Sequence, residues 1–285
     1  MEVKIRRKNI IATIKVVLSL AALYFVFTRI NPAQIRDIYA QSRPLLLIPV
    51  ILLFVLSKVC SAWRLNMFFE RIDISLQFVE NLKLYWVGMF YNMFLPGGIG
   101  GDGYKVLILR QQSMTPTRQI IGAVLFDRVW GVFLLSVLAF FLTIHIIFNP
   151  YPMIWVSAPV GLLVFWAGLW LANRFMSVYK PLLLKTSILS LGVQFLQMAS
   201  LIFLLFAFNE FENYIIWLVV FLVSSVVSVL PVSIGGAGAR EVIFLYGAKW
   251  FALDPALAVT LSLTLYFITA LVSLSGVAFV FKFKK

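Results

Sequence analysis

One motif occurs twice in this chain, as L-P-G-G-I-G-G-D-G-Y-K at residues 95–105 and as L-P-V-S-I-G-G-A-G-A-R at residues 230–240. The copies lie 135 positions apart, share six identical residues and end in a cation, Lys105 or Arg240. Each copy closes a long apolar run with helix-breaking proline and glycine. Interrupted hydrophobic segments at corresponding points of two halves indicate a repeated membrane protein with a binding site at the depth of the bilayer.

The composition indicates an integral membrane protein. Of the 285 residues, 62% are hydrophobic and 12% are charged, whereas soluble domains carry about 25% charged residues. The mean hydropathy is +0.99. Apolar segments long enough to form membrane helices fall at 10–28, 45–62, 76–95, 119–148, 153–173, 187–208, 214–232 and 256–281. We expect a single all-α membrane domain over residues 1–285, because no polar stretch is long enough for a separate soluble domain.

The net charge of +13 comes from 24 Lys and Arg against 11 Asp and Glu. In a membrane protein such an excess is typical of cytoplasmic loops and of contact with anionic lipid headgroups, so no nucleic acid partner is expected. The single cysteine, Cys60, excludes an intramolecular disulfide and a multi-cysteine metal site. We expect neither a metal nor a cofactor.

The distribution of cations favours six spanning helices over eight. With eight spans the cations of the middle loops would lie outside, against the rule that short cytoplasmic loops collect Lys and Arg. If 76–110 and 214–250 are instead re-entrant hairpins, both termini are cytoplasmic. The cations then assigned to the cytoplasm, besides those at the two termini, are Arg64, Arg71, Arg110, Arg118, Arg174, Lys180 and Lys185.

This topology predicts an inverted repeat. Three full spans separate the two motifs, so the first hairpin would enter from the cytoplasm and the second from outside. The fold class expected is therefore an all-α polytopic bundle of about six spanning helices and two re-entrant hairpins, arranged as an inverted repeat, as in many secondary transporters.

Both glycine-rich loops are candidate anion sites. Glycine adopts positive φ, so successive amide N–H groups can converge on an anion, and adjacent helix termini add partial positive charge. Whole charges at matching places would complete a lipid-headgroup site. Its predicted members are Gly97, Gly98, Gly100, Gly101, Lys105, Arg128, Gly235, Gly236 and Arg240. The alternative is that these glycines only permit tight turns and close helix packing.

Three acidic residues, Asp102, Asp127 and Glu241, are expected to tune the charge of this site. Asp127 could pair with Lys105, and Arg128 would then be free to contact a lipid phosphate at the membrane interface. Alternatively, Asp127 and Arg128 only fix the depth of their helix in the membrane. Asp102 could pair with Lys105, and Glu241 with Arg240, as local pairs.

No catalytic constellation is recognisable, so an enzyme is not expected. The sequence contains neither HExxH nor G-x-S-x-G, and neither glycine motif continues into the G-K-[ST] of a nucleotide-binding loop.

Three separated motifs resemble the membrane domain of bacterial lysylphosphatidylglycerol synthases, a family of flippase-like membrane proteins that also occurs as stand-alone chains. These motifs are P-G-G-I-G-G-D-G-Y-K at 96–105, D-R-V-W-G at 127–131 and L-P-V-S-I-G-G-A-G-A-R-E at 230–241. The resemblance implies translocation of a lipid or lipid-linked glycan, and a location in a bacterial cytoplasmic (inner) membrane. Because the sequence ends at Lys285, directly after the last apolar segment, the family's aminoacyltransferase activity is not expected.

The function predicted is binding and translocation of an anionic phospholipid or a polyprenyl-phosphate-linked glycan between leaflets, through a central cavity lined by the two loops. The alternative is a non-transporting accessory or scaffold of a lipid synthase or glycosyltransferase.

Overall fold

The computed structural model describes residues 24–26, 28–29, 31–94, 100–147, 154–229 and 236–280. Within these ranges the chain is helical and contains no strand, which confirms the all-α prediction. The predicted span 10–28 falls almost entirely outside the described residues.

Four long helices form the frame of the bundle. They are α2 (Leu47–Glu70), α5 (Thr117–Ile147), α7 (Leu183–Ala207) and α10 (Pro255–Leu274). At 1.5 Å per residue, a 24-residue helix such as α2 measures about 36 Å, which exceeds the roughly 30 Å hydrocarbon core of a bilayer. These are the four helices of the described chain that have both the length and the hydropathy of membrane spans.

Two further helices complete the frame. Helix α1 (Pro32–Ala40) is short, and its first turn is capped by Asn31, whose side chain accepts a hydrogen bond from the amide of Ala33. Helix α6 (Ile154–Phe175) coincides with the predicted span 153–173 and includes an apolar stretch, Pro159–Ala172.

Two pairs of shorter helices form hairpins between the long ones. The first hairpin consists of α3 (Phe78–Phe94) and α4 (Gly100–Gln112), and the second of α8 (Tyr214–Val229) and α9 (Ala239–Trp250). Each of these helices has 17 residues or fewer, whereas a membrane crossing needs about 20. A last short helix, α11 (Val277–Val280), follows α10.

The first hairpin is closed by direct contact between backbones. A Cβ added to Gly101 of α4 would overlap the carbonyl of Gly88 on α3. Glycine is therefore needed at 101 because two helix backbones meet there, which is how small residues act at helix interfaces in membranes.

The described helices repeat with nearly constant spacing. Helices α2 and α7 begin at Leu47 and Leu183, and α3 and α8 begin at Phe78 and Tyr214; both pairs are 136 positions apart. Helices α4 and α9, and α5 and α10, correspond within three positions of that spacing. The repeat seen in the motif thus extends over four consecutive helices in each half.

The two halves run in opposite directions. Ser200 of α7 donates a hydrogen bond to the carbonyl of Val50 on α2 at 2.9 Å. About four turns further along α2, Arg64 donates to Ser190 of α7 at 2.7 Å, so residue numbers rise along α2 while they fall along α7. The equivalent helices α2 and α7 are therefore antiparallel, which is the relation that an inverted repeat requires.

The first hairpin starts and finishes at one end of the bundle, and the second hairpin starts at the opposite end. At one end, Thr115 after α4 donates to the carbonyl of Ile72 before α3 at 3.2 Å. At the other end, the amide of Arg43 donates to the carbonyl of Ala207, and the Asn209 side chain donates to the carbonyl of Gln41. Helix α8 begins at Tyr214, directly after this second group of contacts.

The surface of the long helices is apolar. Leu52 and Trp63 of α2, Leu163 of α6 and Phe195 of α7 are each more than half exposed. A soluble protein rarely exposes contiguous apolar area on this scale, and in a bilayer these side chains contact lipid tails. The chain is an integral membrane protein.

Candidate functional site

A cavity of about 360 Å³ lies between helices of both halves. The first half contributes α2, α3 and α5, and the second contributes α7, α8, α9 and α10. The polar side chains of its lining are Lys58, Ser61, Arg64, Tyr85, Asn92, Asp127, Arg128, Gln194, Gln197, Ser225, Ser228, Arg240, Thr269 and Ser273. Among the described residues of this lining, cations outnumber anions by four to one, and Asp127 is the one carboxylate.

Arg64 and Asp127 form a buried ion pair at the wall of the cavity. Arg64 Nε donates to Asp127 Oδ1 at 2.7 Å, and Nη2 donates to the Asp127 carbonyl at 3.2 Å. Arg64 Nη1 donates to Ser190 of α7 at 2.7 Å. Gly131 leaves room for the guanidinium, since a Cβ there would lie 3.0 Å from both Nη1 and Nη2. The pair thus connects three long helices.

This pair corrects two predictions. Arg64 was assigned to the cytoplasm, but it is 7% exposed within α2, six residues before the end of that helix. The pairing of Asp127 with Lys105, one of the two alternatives for Asp127, is wrong, because the partner of Asp127 is Arg64. Apolar sequence ends near residue 62, whereas the helix continues to Glu70, so Arg64 resembled a loop residue in the sequence.

Asp102 lies between two cations. Its Oδ1 contacts Lys105 Nζ at 3.3 Å, which confirms the local pair, and its Oδ2 accepts from Arg128 Nε. Lys105 Nζ also lies 4.5 Å from the centre of the Tyr85 ring. The partner of Arg128 seen here is therefore a carboxylate of the first hairpin, whereas the sequence predicted a lipid phosphate.

A second, smaller cavity of about 100 Å³ is lined by Asp102 and Lys105. It shares Tyr85, Asp127 and Arg128 with the larger cavity. The predicted ligand Lys105 and the predicted tuning residue Asp102 thus lie beside the central cavity rather than in its wall.

The glycines of the first loop have a structural role where they are described. The amide of Gly101 donates to Asn92 Oδ1 at 2.8 Å, so this N–H is already occupied. Gly101 also forms the backbone contact with Gly88. Gly100 begins α4 and lines neither cavity. For Gly101 the structure therefore agrees with the alternative in which the glycines permit close helix packing. Gly97 and Gly98 lie outside the described residues.

The second loop is organised by Glu241. Its Oε2 accepts from the amide of Gly238 at 2.6 Å, and its Oε1 accepts from Ser262 Oγ at 3.2 Å. The carboxylate thereby caps the start of α9, where it also complements the helix dipole. The predicted pair of Glu241 with Arg240 is wrong, because no contact within 4 Å joins their charged groups.

Gly236 and Arg240 place the second loop against the central cavity. Both line it, and Gly236 has a φ of 87°, a left-handed conformation that side chains disfavour. Gly235 lies outside the described residues. Of the predicted members of the headgroup site, the structure brings Arg128, Gly236 and Arg240 together at this cavity, with Asp127, one of the predicted charge-tuning residues.

Two cations of the cavity have no ionic partner among the described residues. They are Arg240, whose buried Nε–H donates to no acceptor, and Lys58, whose Nζ lies 4.6 Å from the centre of the Phe54 ring. An unpaired charge at the centre of a membrane helix costs about 2.5–3.5 kcal/mol on insertion scales. Such residues mark binding sites or ion paths in membrane proteins. Lys58 was missed because it lies inside an apolar segment without a motif.

The described part of the chain brings no three His, Cys, Asp or Glu side chains together as metal ligands do. What the cavity can do chemically is bind an anion: guanidinium and ammonium groups supply charge, and Gln194, Gln197 and the serines supply hydrogen bonds.

Sequence comparison agrees with this architecture. The profile described as the lysylphosphatidylglycerol synthase TM region matches residues 12–185, more than half of the chain. The chain belongs to this family. The resemblance inferred from the motifs is thereby confirmed, and the match to the lysylphosphatidylglycerol synthase TM region includes the first motif and ends before the second.

A further similarity is to the UPF0104 membrane protein PH1989 of Pyrococcus horikoshii. The two sequences are 28% identical over 102 residues, which cover 33% of this chain and 30% of that protein. The chain therefore matches about a third of the length of this curated relative.

Proposed function

We propose that this protein binds the headgroup of an anionic lipid, a phospholipid or a polyprenyl-phosphate-linked glycan, and translocates it between leaflets. The observation that carries the proposal is the cationic cavity built by both halves of the repeat. Lys58 and Arg240 have no ionic partner there among the described residues, and an anionic headgroup would neutralise them. Membership of a lipid synthase's membrane-region family supports a lipid as the ligand.

The size of the cavity supports binding of a headgroup rather than of a whole lipid. Sites for small molecules measure about 300–1,000 Å³, and this cavity of about 360 Å³ falls at the lower end. Only the polar part of a lipid would enter, and its tails would stay in the bilayer.

In this proposal the two hairpins are re-entrant and approach the cavity from opposite sides of the membrane. The short helices and the antiparallel halves support such an arrangement. The end of the bundle that carries Arg71, Arg110, Arg118, Arg174, Lys180 and Lys185 would be cytoplasmic, with both termini on that side, in a cytoplasmic (inner) membrane.

Lipid exchange in liposomes tests the proposal. The purified protein is reconstituted with a fluorescent anionic phospholipid, and a membrane-impermeant quencher measures how fast lipid leaves the inner leaflet. Wild type should accelerate exchange, and Lys58→Ala with Arg240→Ala should abolish it. The matched control, Lys180→Ala with Lys185→Ala, also removes two cations but lies outside the cavity and should exchange like wild type.

Equal rates in the cavity variant and in wild type would overturn the proposal. So would a wild type that moves neither anionic phospholipid nor polyprenyl phosphate, and co-purification of that protein with a lipid synthase or glycosyltransferase would then support the accessory role.

A further inference from the structure

We propose that the two duplicated cations have different roles: Arg240, together with Lys58, binds the phosphate of the ligand, whereas Lys105 positions the first hairpin and binds no ligand. This inference deepens the proposed function and rests on it, since it names the residues and the ligand chemistry of the same cavity.

The two copies of the motif differ three residues before the cation, at the position that can supply its counter-ion. Asp102 precedes Lys105 by three residues, one helical turn, and contacts its ammonium at 3.3 Å. At the equivalent position in the second copy, three residues before Arg240, the chain has Ala237. The first cation therefore has a counter-ion one turn before it in its own loop, and the second cation has no carboxylate at the equivalent position.

Lys105 is also enclosed. It is 5% exposed, its ammonium lies 4.5 Å from the centre of the Tyr85 ring, and its side chain fills the space beside Gly88, which lacks a Cβ. Together with Asp102 it joins α4 to α5 through Arg128. These contacts hold the hairpin in place and leave little of the ammonium for a ligand.

Arg240, in contrast, is available to an anion. Its Nε is buried without a hydrogen-bond partner, and the neighbouring carboxylate of Glu241 is occupied by Gly238 and Ser262. The undescribed residues could supply one acidic side chain at most, Glu2, because the other ten Asp and Glu of the sequence are all described. In particular, 95–99 and 230–235 contain no acidic residue.

Lys58 supplies the second charge from the other half of the repeat. It projects from α2 into the same cavity and has no carboxylate within 4 Å in the described chain. Gln194 of α7 adds an independent sign of a missing ligand, because it is 7% exposed, lines the cavity and has a buried amide oxygen without a partner. An amide in this position can turn its NH₂ toward an anion.

The ligand chemistry follows from this lining. Two uncompensated cations, with amide and hydroxyl donors around them, match a phosphate group that carries one or two negative charges. A lipid headgroup and free phosphate share this chemistry, so the test must separate them.

Calorimetric titration of the full chain in non-ionic detergent provides that test. The probes are dihexanoyl phosphatidylglycerol, dihexanoyl phosphatidylcholine and inorganic phosphate. The decisive pair of variants is Ala237→Asp, which copies the counter-ion of the first loop, and Ala237→Asn, which has nearly the same shape without the charge. Arg240→Gln, Lys58→Gln and Lys105→Gln complete the set, and the last of these leaves the contact of Asp102 with Arg128 in place.

We expect wild type to bind the phosphatidylglycerol probe. Ala237→Asp, Arg240→Gln and Lys58→Gln should each weaken binding by about tenfold or more, the usual effect of losing a charged hydrogen-bond partner. Ala237→Asn and Lys105→Gln should bind as tightly as wild type. Gel filtration and melting temperature identify variants that do not fold. If Ala237→Asp does not fold, the affinities of Arg240→Gln and Lys58→Gln for the phosphatidylglycerol probe test the inference instead.

The inference would be overturned if Ala237→Asp bound as well as Ala237→Asn, or if binding followed Lys105 and not Arg240. Binding of inorganic phosphate as tightly as the lipid probe, with the same variant pattern, would support the phosphate site and assign it to a free anion. A wild type that binds neither anion would overturn both this inference and the proposed function, whereas intact binding with the wrong variant pattern overturns this inference alone.

Discussion

Arg64 and Asp127 are 63 positions apart in sequence and form a 2.7 Å ion pair that joins α2 to α5. Both side chains are about nine-tenths buried, and Ser190 adds the third helix to the contact. The pair therefore connects the helices that enclose the cavity, and its loss should affect the whole bundle.

Removing one partner of this pair should destabilise the protein strongly. Asp127→Leu leaves the guanidinium of Arg64 buried without its carboxylate, and such changes typically cost about 3–5 kcal/mol. Arg64→Met combined with Asp127→Leu should be less destabilised than Asp127→Leu alone, because no uncompensated charge remains. Melting temperatures of the three proteins in detergent measure this order of stability. Arg71→Gln, which loses an exposed hydrogen bond to Val178, is the control and should change little. A double variant less stable than the single one would contradict this account.

Gly101→Ala should separate the first hairpin. The added methyl would overlap the Gly88 carbonyl, so α3 and α4 must move apart, and overpacking of this kind costs about 1–3 kcal/mol. Gly103→Ala, in the same helix, is a matched control because no atom lies within 4 Å of its added Cβ. Alanine at 103 should stabilise α4 by about 0.5–1 kcal/mol through helix propensity. Melting temperatures that fall equally for both variants would show that the backbone contact is not the cause.

The two ends of the bundle should react with labelling reagents from opposite sides of the membrane. In a Cys60→Ser background, single cysteines at Gln41 and Glu212 should react with an impermeant maleimide on intact cells. Cysteines at Asp73, Thr115 and Lys180 should react only after permeabilisation, since hydrogen bonds place these segments at the other end. Labelling of Gln41 and Thr115 from the same side would refute the arrangement of the hairpins.

Glu210 should make stability depend on pH. Burial raises the pKa of this carboxyl above its usual value, and repulsion by Glu212 and Asp254 adds to the effect. The folded state then binds the proton more tightly than the unfolded state, so the ionised side chain opposes folding at neutral pH and stops doing so as pH falls below about 4.3. Glu210→Gln should therefore raise the melting temperature at pH 7, and this advantage should shrink on acidification. Glu212→Gln controls for the loss of one loop charge, and an advantage of Glu210→Gln that persists at pH 4 would contradict the mechanism.

Much of the architecture was predictable because it depends on patterns along the chain. Apolar runs predicted the long helices, and the duplicated Pro and Gly motif located both helix hairpins. The packing of Gly101 on Gly88 was one of two stated alternatives, because glycine serves turns, anion sites and close helix contacts equally well.

Partners of charged residues were not predictable in the same way. The contact of Arg64 with Asp127 depends on how α2 and α5 face each other, and no local spacing encodes it. Lys58 carried no signal, since a single Lys in an apolar run also fits a lipid-facing helix whose ammonium reaches the interface. The difference between Asp102 and Ala237 was visible in the sequence, but its meaning required knowing that Asp102 faces Lys105.

The antiparallel contact of α2 with α7 has one more consequence. If each half of such a molecule took up the conformation of the other, a cavity open to one leaflet would become a cavity open to the opposite leaflet, at almost the same free energy. The resting preference between these two states would then come from the positions at which the halves differ. Asp102 and Ala237 are one such pair of positions, so the two loops would not contribute equally to that preference.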